Sequence, residues 1–356
     1  MLEVPLDEED WRYHQSFTVQ ELEQNDSDGS TNSQNEALDF FQCYGFVIVR
    51  DVISHSPAIL EDMLDLLQEQ DGSGQLDRND PSTWKNLSRF GMPTNGSKAL
   101  FRPALLRLRQ DRNICRAFGA VLQADYQSDI ICGHDRWLLH RPNAATTESK
   151  PWSPSPKNVH LDLNPYAFDN PDASQPILHQ LSQLRYNDST HKDNLGDFIS
   201  ENMLVHNSMG LCVQGLINLL DLPLGGPGSG TIVIPGSHVP GQWPPLRPPI
   251  NAAAAAHGAS MQYRCDDDWA SRATNVALRP GSLLIWNQRL IHGSTPNRQA
   301  HQLRAAVPLR FFHKTILRQQ PARAARRAAT IRKQLNKCQF PDELTPLGRS
   351  VFGLTL

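Results

Sequence analysis

The segment Asn158-Val-His160-Leu-Asp162-Leu163 is a short apolar β-type run that carries a histidine and a carboxylate two residues apart. Side chains at positions i and i+2 of a strand project to the same face, so this imidazole and this carboxylate can bind one ion. The pattern alone is weak, because a chain with 13 histidines contains His-x-Asp by chance, and His191-Lys-Asp193 is a second example. His191 lies in a polar stretch with no strand to hold it, and we interpret it as a surface residue.

A third candidate ligand follows a buried-strand pattern much further along the chain. Pro280-Gly-Ser-Leu-Leu-Ile-Trp286 is typical of a turn followed by a buried strand, and His292 closes the next apolar run. A lone histidine there would usually be structural, but with His160 and Asp162 it completes a set of two histidines and one carboxylate. Such a set leaves three adjacent positions open on Fe(II), as non-haem iron oxygenases require.

Arg304 stands twelve residues beyond His292 and opens an alternating strand that runs to Phe312. A permanently charged guanidinium inside a barrel needs a carboxylate partner. Spacing alone leaves two partners open: an aspartate of the chain itself, or the distal carboxylate of 2-oxoglutarate bound through two parallel hydrogen bonds. Arg298, in a Pro-Asn turn, and Arg310, further along the same strand, are the competing candidates.

Short β-type runs bounded by Pro, Gly or Asn clusters dominate the chain beyond its first third. Strands are predicted at 129–141, 158–163, 209–220, 231–234, 282–286 and 303–312. Helical patterns come earlier, at 57–70 and 101–123, and a helix face followed by a strand is predicted between Leu38 and Arg50. This order predicts a mainly β domain with flanking helices, folded as a double-stranded β-helix of the jelly-roll, cupin-like kind.

Three sequence blocks between residues 130 and 312 carry a resemblance to a known family. They are Trp137-Leu-Leu-His-Arg-Pro142 with His160-Leu-Asp162, Gly230-Thr-Ile-Val-Ile-Pro-Gly-Ser-His238, and Pro280-Gly-Ser-Leu-Leu-Ile-Trp286 with His292-Gly-Ser-Thr-Pro-Asn297 and Arg304. In this order and spacing the blocks resemble the phytanoyl-CoA dioxygenase family of Fe(II)- and 2-oxoglutarate-dependent oxygenases. The combination is quite specific, whereas no single block would be.

The resemblance implies a jelly-roll fold with Fe(II) and 2-oxoglutarate as cofactors. It implies that His160, Asp162 and His292 hold the iron. It also implies that Arg304 binds the distal carboxylate of 2-oxoglutarate, and that Ser294 hydrogen-bonds the same carboxylate.

Two further residues are candidates for contact with the co-substrate. Trp137 falls where the family places a residue beside 2-oxoglutarate. The strand 211–218 lacks the tryptophan that some members have near position 215, and it offers Gln214 and Asn218 on one face instead. We therefore add Gln214 to the candidate cofactor-binding residues.

Composition and charge limit the function classes. A formal net charge of −3 provides no field that favours nucleic acid or an anionic membrane. No apolar run approaches the roughly 20 residues that span a bilayer. Six scattered cysteines without a Cys-x-x-Cys pair argue against a disulfide or zinc framework. We expect a cytoplasmic protein that acts on a small molecule, without a nucleic-acid or membrane partner, and nothing in the sequence indicates an oligomeric state.

The chain divides into three parts by composition. Residues 1–35 are interpreted as an N-terminal segment and flexible linker, because 24–35 consists almost wholly of small polar residues. Residues 36–317 form the predicted oxygenase domain, and 318–356 a basic helical C-terminal extension. Between residues 314 and 337 there are eight basic and no acidic residues, which indicates either a solvated helix face or a docking surface for an anionic substrate or partner.

The predicted function is a 2-oxoglutarate-dependent dioxygenase that oxidises a small organic molecule, most simply by hydroxylation, with release of succinate and CO₂. Two other classes stay open: a cupin-like metal enzyme that does not use 2-oxoglutarate, and a non-catalytic metal-binding barrel. The segments 169–207 and 239–275 match nothing in the family, and we expect them to form mobile elements over the substrate mouth. Phytanoyl-CoA itself is therefore not implied as the substrate.

Overall fold

The computed structural model describes residues 2–23, 35–71, 74–86, 99–135, 137–140, 142, 159–162, 174–186, 196–204, 212–226, 230–239, 263–264, 271–295, 297 and 303–355. The predicted linker, apart from Asn35, lies outside these ranges, as do His191 and Arg298. Most of the two predicted mobile elements is also outside them, so their role over the substrate mouth stays a prediction.

Eleven short strands lie in the described residues. They are β1 (Phe46–Val49), β2 (Ile130–Cys132), β3 (Leu138–His140), β4 (His160–Leu161), β5 (Val213–Asn218), β6 (Thr231–Val233), β7 (Tyr263–Arg264), β8 (Thr274–Asn275), β9 (Leu283–Asn287), β10 (His292–Ser294) and β11 (Arg304–His313). The larger sheet has the order β1-β9-β5-β11-β2, with β3 also paired to β11, and the smaller sheet has the order β7-β4-β10-β6-β8.

Successive strands cross between the two sheets along most of the barrel. The chain passes from β4 in the smaller sheet to β5 in the larger and back to β6, and it crosses again at each step from β8 to β11. All the paired strands are antiparallel. This is the strand order of a jelly roll, so the predicted double-stranded β-helix is confirmed.

The helices precede, interrupt and follow this barrel. They are α1 (Val19–Glu23), α2 (Glu36–Tyr44), α3 (Ser56–Gln70), α4 (Pro103–Arg109), α5 (Arg112–Leu122), α6 (Ser174–Gln183), α7 (Gly196–Leu204), α8 (Thr315–Arg318), α9 (Pro321–Lys337) and α10 (Pro346–Val351). Helical residues outnumber strand residues in the described part of the chain, so the expectation of a mainly β domain is wrong. The barrel strands are only two to ten residues long, whereas helices cover the outer face of the larger sheet.

The single helix predicted over 101–123 is divided into α4 and α5. Asp111 interrupts it, because its carboxylate accepts hydrogen bonds from the backbone N–H groups of Asn113 and Ile114 and so begins a new helix. α5 then packs on the larger sheet, where the rings of Phe118 and Phe311 lie 4.5 Å apart between centroids. The break at Asp111 therefore separates the helix that packs on the larger sheet from the one before it.

Alternation along β11 sorts its side chains between two environments. Phe311 faces the helices, and Ala305, Val307 and Leu309 share its parity and are buried in the hydrophobic core. The opposite parity faces the smaller sheet, because Arg304 donates a hydrogen bond to Thr231 of β6. The same strand thus supplies hydrophobic core on one face and lines the barrel interior on the other.

Both ends of the chain contribute to this hydrophobic core. Phe17 bridges to Val49 of β1, and Leu22 of α1 is buried. At the other end Phe340 and Phe352 are fully buried in the same cluster. The terminal segments that the sequence separates from the central domain therefore pack as parts of one core.

A buried ion cluster joins α9 to α7. Glu201 is fully buried, and its carboxylate accepts hydrogen bonds from Arg323, Arg327 and the hydroxyl of Tyr186. Burial alone would raise the pKa of Glu201, but the two guanidiniums outweigh it and hold the pKa below its usual value. The basic run 314–337 is therefore not simply a solvated face, because two of its arginines are core residues.

Replacing Glu201 by Gln should destabilise the protein strongly, because it leaves two buried guanidiniums without an anion. We expect the free energy of unfolding to fall by about 3–5 kcal/mol, measured by urea denaturation at neutral pH. The folded-state pKa is lowered, so this contribution is complete above the ordinary glutamate pKa of about 4.3 and is lost as pH falls towards the folded value. Glu343→Gln, in the exposed pair with Arg107, is the control and should leave the midpoint nearly unchanged. Equal, small effects would contradict this account of the cluster.

Candidate metal centre

The three sequence-predicted ligands meet on two adjacent inner strands of the smaller sheet. His160 of β4 and His292 of β10 lie directly opposite each other across an antiparallel ladder, with ring centroids 4.8 Å apart. Asp162, just beyond β4, places Oδ1 3.2 Å from His160 Nε2 and Oδ2 3.5 Å from His292 Nε2. One ligand atom from each residue lies within 4.8 Å of the others, as bonds of about 2 Å to a single metal ion require.

The protonation of these groups suits a cation. His292 Nδ1 lies 2.9 Å from the carbonyl of Leu290, a contact in which Nδ1–H donates, and Nε2 faces Asp162. Burial alone would lower the pKa of His292, but the hydrogen bond and charge of Asp162 raise it, so a metal ion would take the place of the Nε2 proton that Asp162 attracts. Burial alone would raise the pKa of Asp162, but the hydrogen bonds and charges of His160 and His292 outweigh it and hold that pKa well below its usual range. The carboxylate is therefore ionised at neutral pH.

Gln214 supports the carboxylate rather than lying at the arginine end of the barrel. Its Nε2 donates a 2.9 Å hydrogen bond to Asp162 Oδ2, and its Oε1 accepts one of 2.9 Å from the indole N–H of Trp286. Gln214 and Trp286 lie opposite each other on β5 and β9, so strand register holds the chain of contacts together. The sequence missed Trp286 as a site residue, although alternation along 282–286 could have placed it inside the barrel.

Arg304 lies at a second site, two residue pairs along the β6–β10 ladder from His292. Its guanidinium is buried and Nη2 donates a 2.9 Å hydrogen bond to the hydroxyl of Thr231. Thr231 is opposite Ser294 in the β6–β10 ladder, and Ser294 shares its strand face with His292 about 7 Å along the strand. Burial lowers the pKa of Arg304 to about 10, which still leaves it protonated at neutral pH. Thr231 is a site residue that sequence reasoning did not single out.

Trp137 and His140, from the same sequence block, lie in different surroundings. His140 lies opposite Arg304 in the β3–β11 ladder, on the same face, whereas Leu139 is opposite Ala305 on the face that is buried in the core. Trp137 precedes β3, is fully buried in the hydrophobic core, and its indole N–H has no hydrogen-bond partner among the described residues. His140, with a pKa lowered to about 3 by burial and by Arg304, is the neutral neighbour of that guanidinium.

Other polar residues of the sequence take no part in this site. His179 of α6 and Arg185 beyond it, both in the predicted mouth segment 169–207, are exposed. Asn287 ends β9, and its side chain accepts a hydrogen bond from the backbone N–H of Arg289 in the turn that follows. None of the helices in the described part of the chain is long and apolar enough to cross a membrane.

Comparison with known proteins agrees with the geometry. The model of the family described as phytanoyl-CoA dioxygenase matches residues 229–306, which hold Thr231, His292, Ser294 and Arg304. A curated protein of Dictyostelium discoideum, named putative phytanoyl-CoA dioxygenase, is 30% identical over 273 residues, covering 73% of this chain and 70% of that protein. The chain belongs to the phytanoyl-CoA dioxygenase family. It is therefore a 2-oxoglutarate-dependent non-haem iron enzyme with Fe(II) and 2-oxoglutarate as its cofactors, and those predictions are confirmed.

Solved structures resemble this family member in fold at low sequence identity. GlcNAc Inducible Gene 2 of Candida albicans aligns with a TM-score of 0.50 at 13% identity, over 89% of this chain and 75% of that chain. The non-haem alpha-ketoglutarate-dependent carbocyclase SnoK of nogalamycin biosynthesis aligns with a TM-score of 0.46 at 13% identity, over 79% of this chain and 84% of that chain. At such identities the likeness concerns the fold alone.

Substitutions in the metal centre should have graded effects on metal affinity, measured by titration of the metal-free protein with Fe(II) under anaerobic conditions. His160→Ala, Asp162→Ala and His292→Ala each remove one of three protein ligands and should abolish stoichiometric binding. Gln214→Leu removes only the support of the carboxylate and should weaken binding by roughly 10- to 100-fold. His179→Ala, an exposed histidine, should bind like the wild type. Normal iron content in His160→Ala would refute this ligand assignment.

Proposed function

We propose that this enzyme hydroxylates a C–H bond of a small organic molecule while it converts 2-oxoglutarate to succinate and CO₂. In this reaction one atom of O₂ enters the product alcohol and the other enters succinate. Iron, when held by His160, Asp162 and His292, would supply the activation of O₂. The residues of the chain position 2-oxoglutarate and the substrate, balance their charge and exclude water from the site. The observation that carries the proposal is the buried site formed by Arg304 and Thr231, two residue pairs along the ladder from a complete two-histidine, one-carboxylate set.

The spacing of the two parts of the site matches a five-carbon dicarboxylate. Ser294 lies about 7 Å along β10 from His292, near enough for one five-carbon dicarboxylate to reach from the metal ligands to Arg304. Arg304 can hold the distal carboxylate with a forked, charge-assisted contact, and the hydroxyls of Thr231 and Ser294 can donate to the same oxygens. Because Arg304 is buried, water competes poorly for that carboxylate.

Asp162 favours hydroxylation over halogenation. A halogenase of this type needs a vacant metal position for chloride, where a small residue replaces the carboxylate ligand. Asp162 fills that position, is ionised, and is held in place by Gln214. The rings of Trp286 and His292 lie 5.2 Å apart, so a buried indole excludes water on that side of the metal ligands.

The direct test is a screen for substrate-stimulated succinate release across acyl-CoAs, amino acids and specialised metabolites, followed by mass analysis of any hit under ¹⁸O₂. Hydroxylation predicts one labelled oxygen in the organic product and one in succinate. An organic product lighter by two hydrogens, with no label, would replace hydroxylation by desaturation. A chlorinated product formed in the presence of chloride would overturn the argument from Asp162.

Arg304→Ala should weaken binding of 2-oxoglutarate by roughly two orders of magnitude, because it removes a buried bidentate contact. Arg304→Lys should recover part of the loss, since an ammonium keeps the charge without the fork. The measurement is the Kd for 2-oxoglutarate of the metal-loaded variants, and metal affinity should stay normal in both.

Two controls locate the effect. Arg107→Ala, at an exposed arginine paired with Glu343, should bind 2-oxoglutarate as the wild type does. Arg298→Ala tests the nearest rival arginine in the sequence. If only Arg298→Ala binds 2-oxoglutarate more weakly, Arg298 rather than Arg304 holds the distal carboxylate. If no arginine variant binds it more weakly, the proposed carboxylate site is refuted.

A further inference from the structure

Arg310 is a buried cation that makes no side-chain hydrogen bond within the described part of the chain. Its side chain is 3% exposed, and none of its three guanidinium nitrogens has a hydrogen-bond partner among the described residues. The other deeply buried arginines differ: Arg109 donates to the carbonyls of Leu100 and Asp135, while Arg327 donates to Glu201 and to backbone carbonyls. A buried, unpaired charge is strongly unfavourable, so its retention requires a function in a liganded state.

The register of β11 places the Arg310 side chain on the face of the sheet that contains the metal centre. It shares its face of β11 with Arg304, six residues away, and it lies directly opposite Gln214 of β5. Gln214 in turn donates to Asp162, so the two arginines are on opposite sides of the metal ligands: Arg304 towards Thr231, Arg310 towards Gln214. One molecule of 2-oxoglutarate anchored at Arg304 therefore leaves the Arg310 side without a counter-charge of its own.

Three carboxylates lie within electrostatic range of Arg310, but no described carboxylate accepts a hydrogen bond from it. Asp162 is the metal ligand, and Asp135 and Glu201 are the other carboxylates within electrostatic range. Glu201 already has two guanidinium partners, so that cluster carries excess positive charge of its own. The thiol of Cys212 is neutral, because burial raises its pKa to about 11.

Unsatisfied amides surround the same end of the barrel. Gly133 lies beside Arg310 on β2's side of β11, where its N–H donates 2.7 Å to the Arg310 carbonyl. A Cβ on Gly133 would collide with Oδ1 of Asn202, which places that carboxamide on the Arg310 face, and this Oδ1 has no partner among the described residues. Gln288, whose N–H donates to the Cys212 carbonyl, likewise has neither amide atom satisfied there although it is buried. Polar groups left open in this way indicate a site for a polar ligand.

We propose that Arg310 binds a carboxylate beside the metal, separate from the carboxylate that Arg304 holds. This inference rests on the proposed function only for the placement of 2-oxoglutarate at Arg304. The metal dication, the Asp162 carboxylate, the two carboxylates of 2-oxoglutarate and the Arg304 guanidinium together carry no net charge. Arg310 adds one positive charge, which a carboxylate on the substrate would balance. The other source of the same chemistry is the C1 carboxylate of 2-oxoglutarate.

Binding experiments with Arg310→Gln separate the two sources, using protein loaded with Ni(II) in place of iron so that no turnover occurs. Pyruvate keeps the C1 carboxylate and keto group of 2-oxoglutarate but lacks the distal carboxylate. Octanoate, measured in the presence of saturating 2-oxoglutarate with neutral octanamide as its matched probe, reports a substrate carboxylate. We expect at least a tenfold loss of affinity for one of the two acids in Arg310→Gln, and unchanged pyruvate affinity in Arg304→Gln.

Each result has one meaning. Loss of octanoate affinity alone assigns the site to the substrate, and loss of pyruvate affinity assigns it to the C1 carboxylate. A variant with unchanged affinity for both acids overturns the proposal. Failure of wild-type protein to bind 2-oxoglutarate would refute the proposed function, whereas octanoate binding without 2-oxoglutarate would still test Arg310.

Thermal unfolding without metal or ligand provides an independent readout. Removing an uncompensated buried charge should raise the Tm of Arg310→Gln by several degrees, as expected where function is held at the expense of stability. Arg327→Gln is the matched control, because this equally buried arginine has partners and its loss should lower the Tm. A fall in Tm for Arg310→Gln as large as that of the control would show that Arg310 is structural. Arg310→Lys keeps the charge and should show no gain in Tm.

Discussion

The antiparallel pairing of His292 with His160 is the contact on which the candidate site depends. It brings together two histidines that are 132 positions apart in the chain, and it fixes their separation by backbone hydrogen bonds rather than by side-chain packing. Asp162 then needs only the two-residue repeat of an extended chain to reach the same ion. A metal site built on ladder register in this way is rigid before any ligand arrives, which is the condition for binding a cation with few protein ligands.

The two faces of β11 have different roles, one in the hydrophobic core and one in the barrel interior. The face that contains Phe311 contributes to the hydrophobic core, and the face that contains Arg304 and Arg310 lines the interior. Burial of two guanidiniums on one strand is expensive unless each finds an anion. β11 therefore places positive charge inside the barrel, and anionic ligands are the groups that can neutralise this charge.

Much of the site could be predicted from sequence because it depends on short periodicities. His160 and Asp162 follow from the two-residue repeat, and Arg304 follows from a charged residue on an otherwise apolar strand. Thr231 could not be found in this way, since its role comes from the pairing of β6 with β10 and no local pattern encodes which strands pair. The role of Trp137 beside 2-oxoglutarate is implied by resemblance alone and stays a prediction, and its side chain is fully buried in the hydrophobic core.

The strand order of the fold could be predicted from the sequence, but the share of helix could not. The jelly-roll order follows from many short strands with turn signals, but the helices outweigh the strands because they are recruited to cover one sheet. The basic helix α9 could not be interpreted from composition, since the arginines that are buried and those that are solvated alternate within one run. Only the position of Glu201 on α7 decides which are which.

The Glu201 cluster also determines where the folding unit ends. The family match stops at residue 306, and composition places a boundary at 317, yet Arg327 donates to the carbonyl of Cys132 at the end of β2 and to that of Phe352. A chain cut before α9 would lose both guanidiniums, leave a bare carboxylate in the interior and release the edge of the larger sheet. We therefore expect gene boundaries chosen from the family match alone to destabilise the barrel, and a fusion that carries it should include the C-terminal helices.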